Sequence, residues 1–251
     1  MFKRAMLVVF LGLLISSAFG QGCMEASSDE GVSVVGYIQT QYEYMFQDTD
    51  NDLSNFTFNR VRVGLVGNIP YDFSYYTMFE FSPNKEDAPY LLDGFITYSR
   101  LDPYLKLSLG QFKSPFSLEL NTPCQGLHTV RRSLVVNELV VPDRDRGLLI
   151  SGKYTKYVSY GLGITNGTGR ESLDNNQNKA LAGRIVLSPH EYLSIGGSYK
   201  TATSPPRVEG VEDEDEATRM AFDMQITYNN ILIQGEYITG EDNGSYTTGG
   251  G

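Results

Sequence analysis

From residue 34 onward, apolar and polar side chains alternate in segments of about ten residues, the period of two expected of a strand with two unlike faces. Val34, Ile38, Tyr42, Tyr44 and Phe46 fall on one face of the first segment, and Gln39, Gln41 and Glu43 on the other. Val61, Val63 and Leu65 oppose Arg60, Arg62 and Gly64, and Leu105, Leu107 and Leu109 oppose Lys106 and Ser108. The same reading separates Leu193, Ile195 and Tyr199 from Ser194, Ser198 and Lys200, and Phe222, Met224 and Ile226 from Asp223, Gln225 and Thr227. Helical spacing is not convincing anywhere. The pattern predicts about eleven strands, beginning near residues 34, 57, 71, 91, 104, 147, 158, 179, 191, 219 and 231.

The connections alternate as regularly as the strands. Asn68-Ile69-Pro70, Asp102-Pro103, Thr155-Lys156-Tyr157, Ser188-Pro189-His190 and Asn229-Asn230 have the chemistry of tight turns. Between them lie long polar segments at 47–55, 82–90, 113–146, 167–178 and 201–218. Short and long connections in strict alternation put all the tight turns at one end and all the long loops at the other. That is the arrangement of an antiparallel transmembrane β-barrel with periplasmic turns and extracellular loops. An exported β-sandwich is the soluble alternative, but its two loop ends need not differ in length so regularly. Aromatic residues near the strand ends fit girdles at two membrane interfaces, although strands are rich in aromatics in any case.

The first 20 residues support export. A basic start (Lys3, Arg4) leads into an apolar run and then Ala18-Phe19-Gly20, the pattern of a cleaved signal peptide over 1–20. A flexible tail is expected over 21–33, and a single barrel domain over 34–251. Bilayers admit only closed β-structure, and bacterial barrels close with an even strand number. Eleven strands therefore read as the N-terminal part of a barrel of roughly 16. The formal charge of −10 excludes a nucleic-acid partner, which would require a basic face. That acidic excess is concentrated in the long loops other than the central one, so it says little about the interior. Cys23 and Cys124 allow at most one bridge. No cofactor motif, metal-ligand spacing or nucleophile elbow is present, and the only histidines, His128 and His190, have no companion nucleophile. The chain is not expected to be an enzyme.

The stretch 107–152 carries Gly110, Phe112, Lys113, Pro115, Phe116 and Glu119, then Arg132-Ser133, then Arg144, Asp145 and Gly147. This G-x-F-K-x-P-F strand end, followed by an acid, an Arg-Ser step and an R-D-x-G entry, resembles the phosphate-selective porin O/P family. Ile164-Thr165-Asn166-Gly167, Gly183-Arg184 and Gly235-Glu236-Tyr237 add to the likeness. The resemblance implies a porin of a Gram-negative outer membrane, in contact with its lipid and passing small anionic or neutral solutes by diffusion, with a homotrimer as the expected assembly. Lysines are dispersed along several strands and form no ladder, which leaves phosphate selectivity open.

The central loop, 113–146, is far longer than a hairpin needs, and long ordered loops are usually functional. It resembles the segment that folds inward to narrow a porin channel. Lys113, Arg131, Arg132, Arg144 and Arg146 within it, with Arg60, Arg62 and Arg184 on polar strand faces, are the candidate pore and anion-binding residues. Guanidinium groups in a narrow aqueous passage favour anions because their field is weakly screened there. The competing role for the loop residues is anchoring, with Arg131 and Arg132 paired to Glu119 or Glu138, and Arg144 and Arg146 paired to Asp143 or Asp145. For Arg60 and Arg62, facing lipid would cost about 2–4 kcal/mol each, so they belong inside. The expected function is passive diffusion tilted toward anions such as phosphate. A plugged structural or adhesive barrel is the alternative.

Overall fold

The computed structural model describes residues 31–45, 53–170, 172–174, 176–204 and 215–244. The leader assigned to 1–20, Cys23, Phe46 and the acidic tip at 212–214 lie outside them. Eleven antiparallel strands form one sheet in sequence order. They are β1 (Val32–Met45), β2 (Leu53–Ile69), β3 (Phe73–Glu80), β4 (Tyr90–Leu101), β5 (Leu105–Lys113), β6 (Arg144–Thr155), β7 (Val158–Thr165), β8 (Ala180–His190), β9 (Leu193–Ser204), β10 (Asp215–Tyr228) and β11 (Ile231–Asn243). Every strand pairs only with its sequence neighbours, so each connection is a hairpin.

The two sheet faces invert the rule for soluble proteins. Val34, Ile38, Phe56, Leu109, Ile185, Phe222 and Tyr237 are exposed, while Arg60, Arg62, Glu80, Arg184, Lys200 and Asp223 are buried. An apolar side chain left in water forgoes about 1.5–3 kcal/mol. A dozen such residues forgo about 20 kcal/mol, more than an ordinary domain's whole stability. The apolar face therefore meets lipid, and the charged face is the interior.

Several strands extend further toward the long-loop end than the alternation predicts. β2 starts at Leu53 instead of near 57, β6 at Arg144 instead of 147, and β10 at Asp215 instead of 219. β9 and β10 remain paired out to Ser204 and Asp215. The reason is physical: past the hydrocarbon band both strand faces meet water, so the contrast between faces fades while the hydrogen-bond ladder continues. The central loop accordingly covers 114–143, with Lys113 on β5 and Arg144 and Arg146 on β6.

Candidate functional site

The central loop turns inward across the sheet. It contains α1 (Leu118–Asn121), a 3-10 turn (Cys124–Gly126) and α2 (Leu134–Leu139). Its entry is set by the motif residues of β5. Gly110 has φ +140°, and a Cβ there would lie 2.7 Å from Phe95 Cα, so only glycine fits. Phe112 and Phe116 are fully buried, and Pro115 lies against β7, where Gly161 and Gly163 leave room for it. A Cβ at either glycine would come within 3.2 Å of the Pro115 ring.

One flank of the loop is docked. Phe116, Leu120, Val136 and Val140 form an apolar cluster with Ala221 of β10, and Ile238 of β11 packs against it. Glu236 of β11 accepts hydrogen bonds from Leu118 N at 2.7 Å, Glu119 N at 3.1 Å and Ser117 Oγ at 3.0 Å. It thereby satisfies backbone donors that the first helical turn leaves unpaired. Lys200 donates to the carbonyls of Val140 and Pro142, and Arg219 to that of Leu139. Within the loop, Glu119 accepts from Ser133 N and Oγ, and Ser133 caps α2.

The other flank faces β1 to β4 across a cavity of about 570 Å³. Seven bases line it (Arg60, Arg62, Lys85, Arg131, Arg132, Arg144 and Arg170) against two acids, Glu43 and Asp143. A bulge places Asn59 and Arg60 side by side on the inward face, and both donate to Val130 O, at 3.0 and 2.9 Å. Arg62 pairs with fully buried Glu80 at 2.9 Å and also donates to Tyr37 Oη and Cys124 Sγ. Arg144 is held by Asp93 at 2.9 Å and Asp143 at 2.6 Å. Arg131 pairs with Glu43 of β1. Arg132 donates to the carbonyls of Glu119, Leu120 and Thr122. Arg60, Lys85, Arg132 and Arg170 form no ion pair among the described residues.

The field of this cluster acts on neighbouring loop groups. Burial raises the Asp143 carboxyl, but Arg144, Arg170, Lys113 and Arg132 outweigh it and hold Asp143 below the usual carboxylate range. Lys85 is lowered by burial first; Glu80 opposes this, and Arg62, Arg60 and Arg170 add to the lowering.

Of the eight residues singled out from sequence, Arg60, Arg62, Arg131, Arg132 and Arg144 come together around this cavity. Lys113 is buried beneath it, lining a smaller cavity of about 50 Å³ with Arg62, Cys124 and Arg144. Two lie elsewhere. Arg184 makes a bidentate pair with Asp223 and also reaches Ser198, and Arg146 donates to the carbonyl of Ser172. The loop pairings expected from sequence differ in detail: Arg131 reaches Glu43, not Glu119 or Glu138, and Arg132 grips backbone. Lys85, Arg170, Asp93, Glu80 and Cys124 were not picked out. Lys85 and Arg170 sit in loops whose acidic surroundings mask them, and no local pattern marks partners brought together across strands.

An antiparallel wall with a lipid-facing exterior, a charged interior and an inward loop defines a porin-type channel. The family model for phosphate-selective porin O and P matches residues 32–249, and the chain belongs to that family. It is an outer-membrane porin of bacteria. No curated protein matches the chain. Among solved structures it is similar to Salmonella typhi OmpF in complex with daunomycin, at 11% identity and a TM-score of 0.54, covering 86% of this chain and 67% of that one. Vibrio cholerae OmpT, in vitro folded and in trimer form, aligns at 11% identity and a TM-score of 0.43, covering 85% and 79%. An OmpT variant lacking loop L8 aligns at 9% and 0.45, covering 85% and 84%.

Proposed function

We propose that this porin passes small hydrophilic solutes by diffusion along the basic flank of its inward loop, with a preference for anions such as phosphate. The observation that carries this reading is the 570 Å³ cavity with seven bases against two acids, four of those bases without an ion pair among the described residues. A low-dielectric wall focuses such a field and raises the local anion concentration. Guanidinium donors also match the oxygens of phosphate or carboxylate.

The plugged-barrel alternative draws on the loop's extensive docking. Against it stands the asymmetry: the packing is confined to one flank, and the other is polar and open. A homotrimer is the assembly we assign, on family resemblance alone, and sedimentation of the detergent-solubilised protein tests it. We assign no catalytic role; His128 is exposed in the loop, and exchanging it for Ala is expected to leave transport unchanged. The decisive experiment is planar-bilayer recording of the full-length protein in chloride with added phosphate. Stepwise current reduced by phosphate is expected. Absence of steps contradicts the channel, and indifference to phosphate contradicts the phosphate preference.

A further inference from the structure

The thiol of Cys124 lines the small cavity that shares Arg62 and Arg144 with the basic flank, where the anion-preferring channel proposed above has no use for a negative charge. Two guanidinium groups from different elements donate to its sulfur: Arg62 Nη1 of β2 at 3.1 Å and Arg132 Nη2 of the loop at 3.6 Å. A neutral thiol is a poor acceptor, whereas a thiolate between two cations is a strong one. A second observation points the same way. Lys113 is 6% exposed, its side chain makes no hydrogen bond or ion pair among the described residues, and it lines the same 50 Å³ cavity as Cys124. An ammonium on a largely buried side chain, without a direct partner, is stabilised by a nearby anion.

We infer that Cys124 is a selectivity-determining residue, its thiolate serving as the resident counter-anion of Arg62, Arg132 and Lys113 and so weakening the hold of the passage on permeant anions. The inference rests on the anion-preferring reading of the same flank. The charged and titratable groups around the sulfur are Tyr37 of β1, Arg60 and Arg62 of β2, Asp93 of β4, Lys113 of β5, Arg144 of β6 and Arg132 of the loop. Burial opposes ionisation of the thiol, but Arg62, Arg132, Lys113 and Arg60 outweigh it and lower the thiol to about 5. The charge is therefore present at neutral pH and lost as pH falls through that value.

The test is the reversal potential of the full-length porin in planar bilayers under a KCl gradient, from pH 4 to 8. Wild type is compared with Cys124→Ser, which removes the charge at nearly constant volume, and Cys124→Asp, which fixes one. At pH 7 the Ser variant is expected to raise the anion-to-cation permeability ratio by at least about twofold, the Coulombic effect of one charge several ångströms away in water. Wild type is expected to approach the Ser variant as pH falls through about 5. Carboxylates such as Glu43 and Asp143 are common to both proteins, so the difference between the curves isolates the thiol. The Asp variant is expected to match wild type at pH 7. A Ser variant equal to wild type at all pH values, or an Asp variant that follows Ser, overturns the inference while leaving an anion-preferring channel standing. Cation preference in wild type overturns both.

Discussion

The inward loop has two flanks that differ in kind. Toward β9, β10 and β11 it is fastened by an apolar cluster and by Glu236, which accepts from three donors at the start of α1. Toward β1 to β4 it is joined by long polar side chains across an open cavity in which bases outnumber acids. On the proposed reading, this asymmetry lets one segment narrow the channel without closing it. Packing energy holds one side in place, which frees the other to carry unbalanced charge next to water.

The largest expected effect lies on the docked flank. Phe116 is fully buried, and Phe→Ala substitutions at such sites cost about 3–5 kcal/mol. Phe116→Ala is expected to loosen the loop, giving larger and noisier single-channel currents and faster proteolysis within 114–143, with little change in ion preference. Next comes Arg62→Ala on the wet flank, which leaves fully buried Glu80 without its cation at a cost of about 3 kcal/mol. Here both readouts are expected to move: the urea midpoint of the lipid-reconstituted protein falls, and so does anion preference. If Arg62→Ala changes stability alone, the contrast between the flanks fails.

Gly163→Ala tests the contact between loop and wall. Its Cβ would meet the Pro115 ring at 3.2 Å, and overpacking of this kind costs about 1–3 kcal/mol. A lower unfolding midpoint with unchanged selectivity is expected. Glu43→Ala should do least, because the Arg131 side chain it pairs with is 66% exposed and such pairs contribute under about 1 kcal/mol. Its expected signature is a small rise in anion preference at low salt that fades at high salt.

Much of this architecture was legible in the sequence. Period-two alternation marked the strands because lipid and water lie on opposite sides of a ladder only one residue thick. The alternation of tight turns with long loops identified the two ends. The G-x-F-K-x-P-F stretch located the loop, and each part of it has a structural reason: Gly110 for its backbone angle, Phe112 and Phe116 for burial, Pro115 for the groove left by Gly161 and Gly163. What sequence did not show was which charges meet. Arg62 and Glu80 are 18 residues apart, Arg144 and Asp93 are 51 apart, and Arg62 and Cys124 are 62 apart, so their encounters depend on register and on where the loop settles. Strand ends beyond the membrane band were equally hidden, since water on both faces erases the pattern that reveals a strand.

The most direct test of the account is the zero-current potential of the full-length porin in a planar bilayer separating two KCl concentrations. The basic flank predicts a potential of the sign set by chloride outpacing potassium, diminished in Arg60→Ala and Arg62→Ala channels. A potential of the opposite sign, or one that neither substitution shifts, would contradict it.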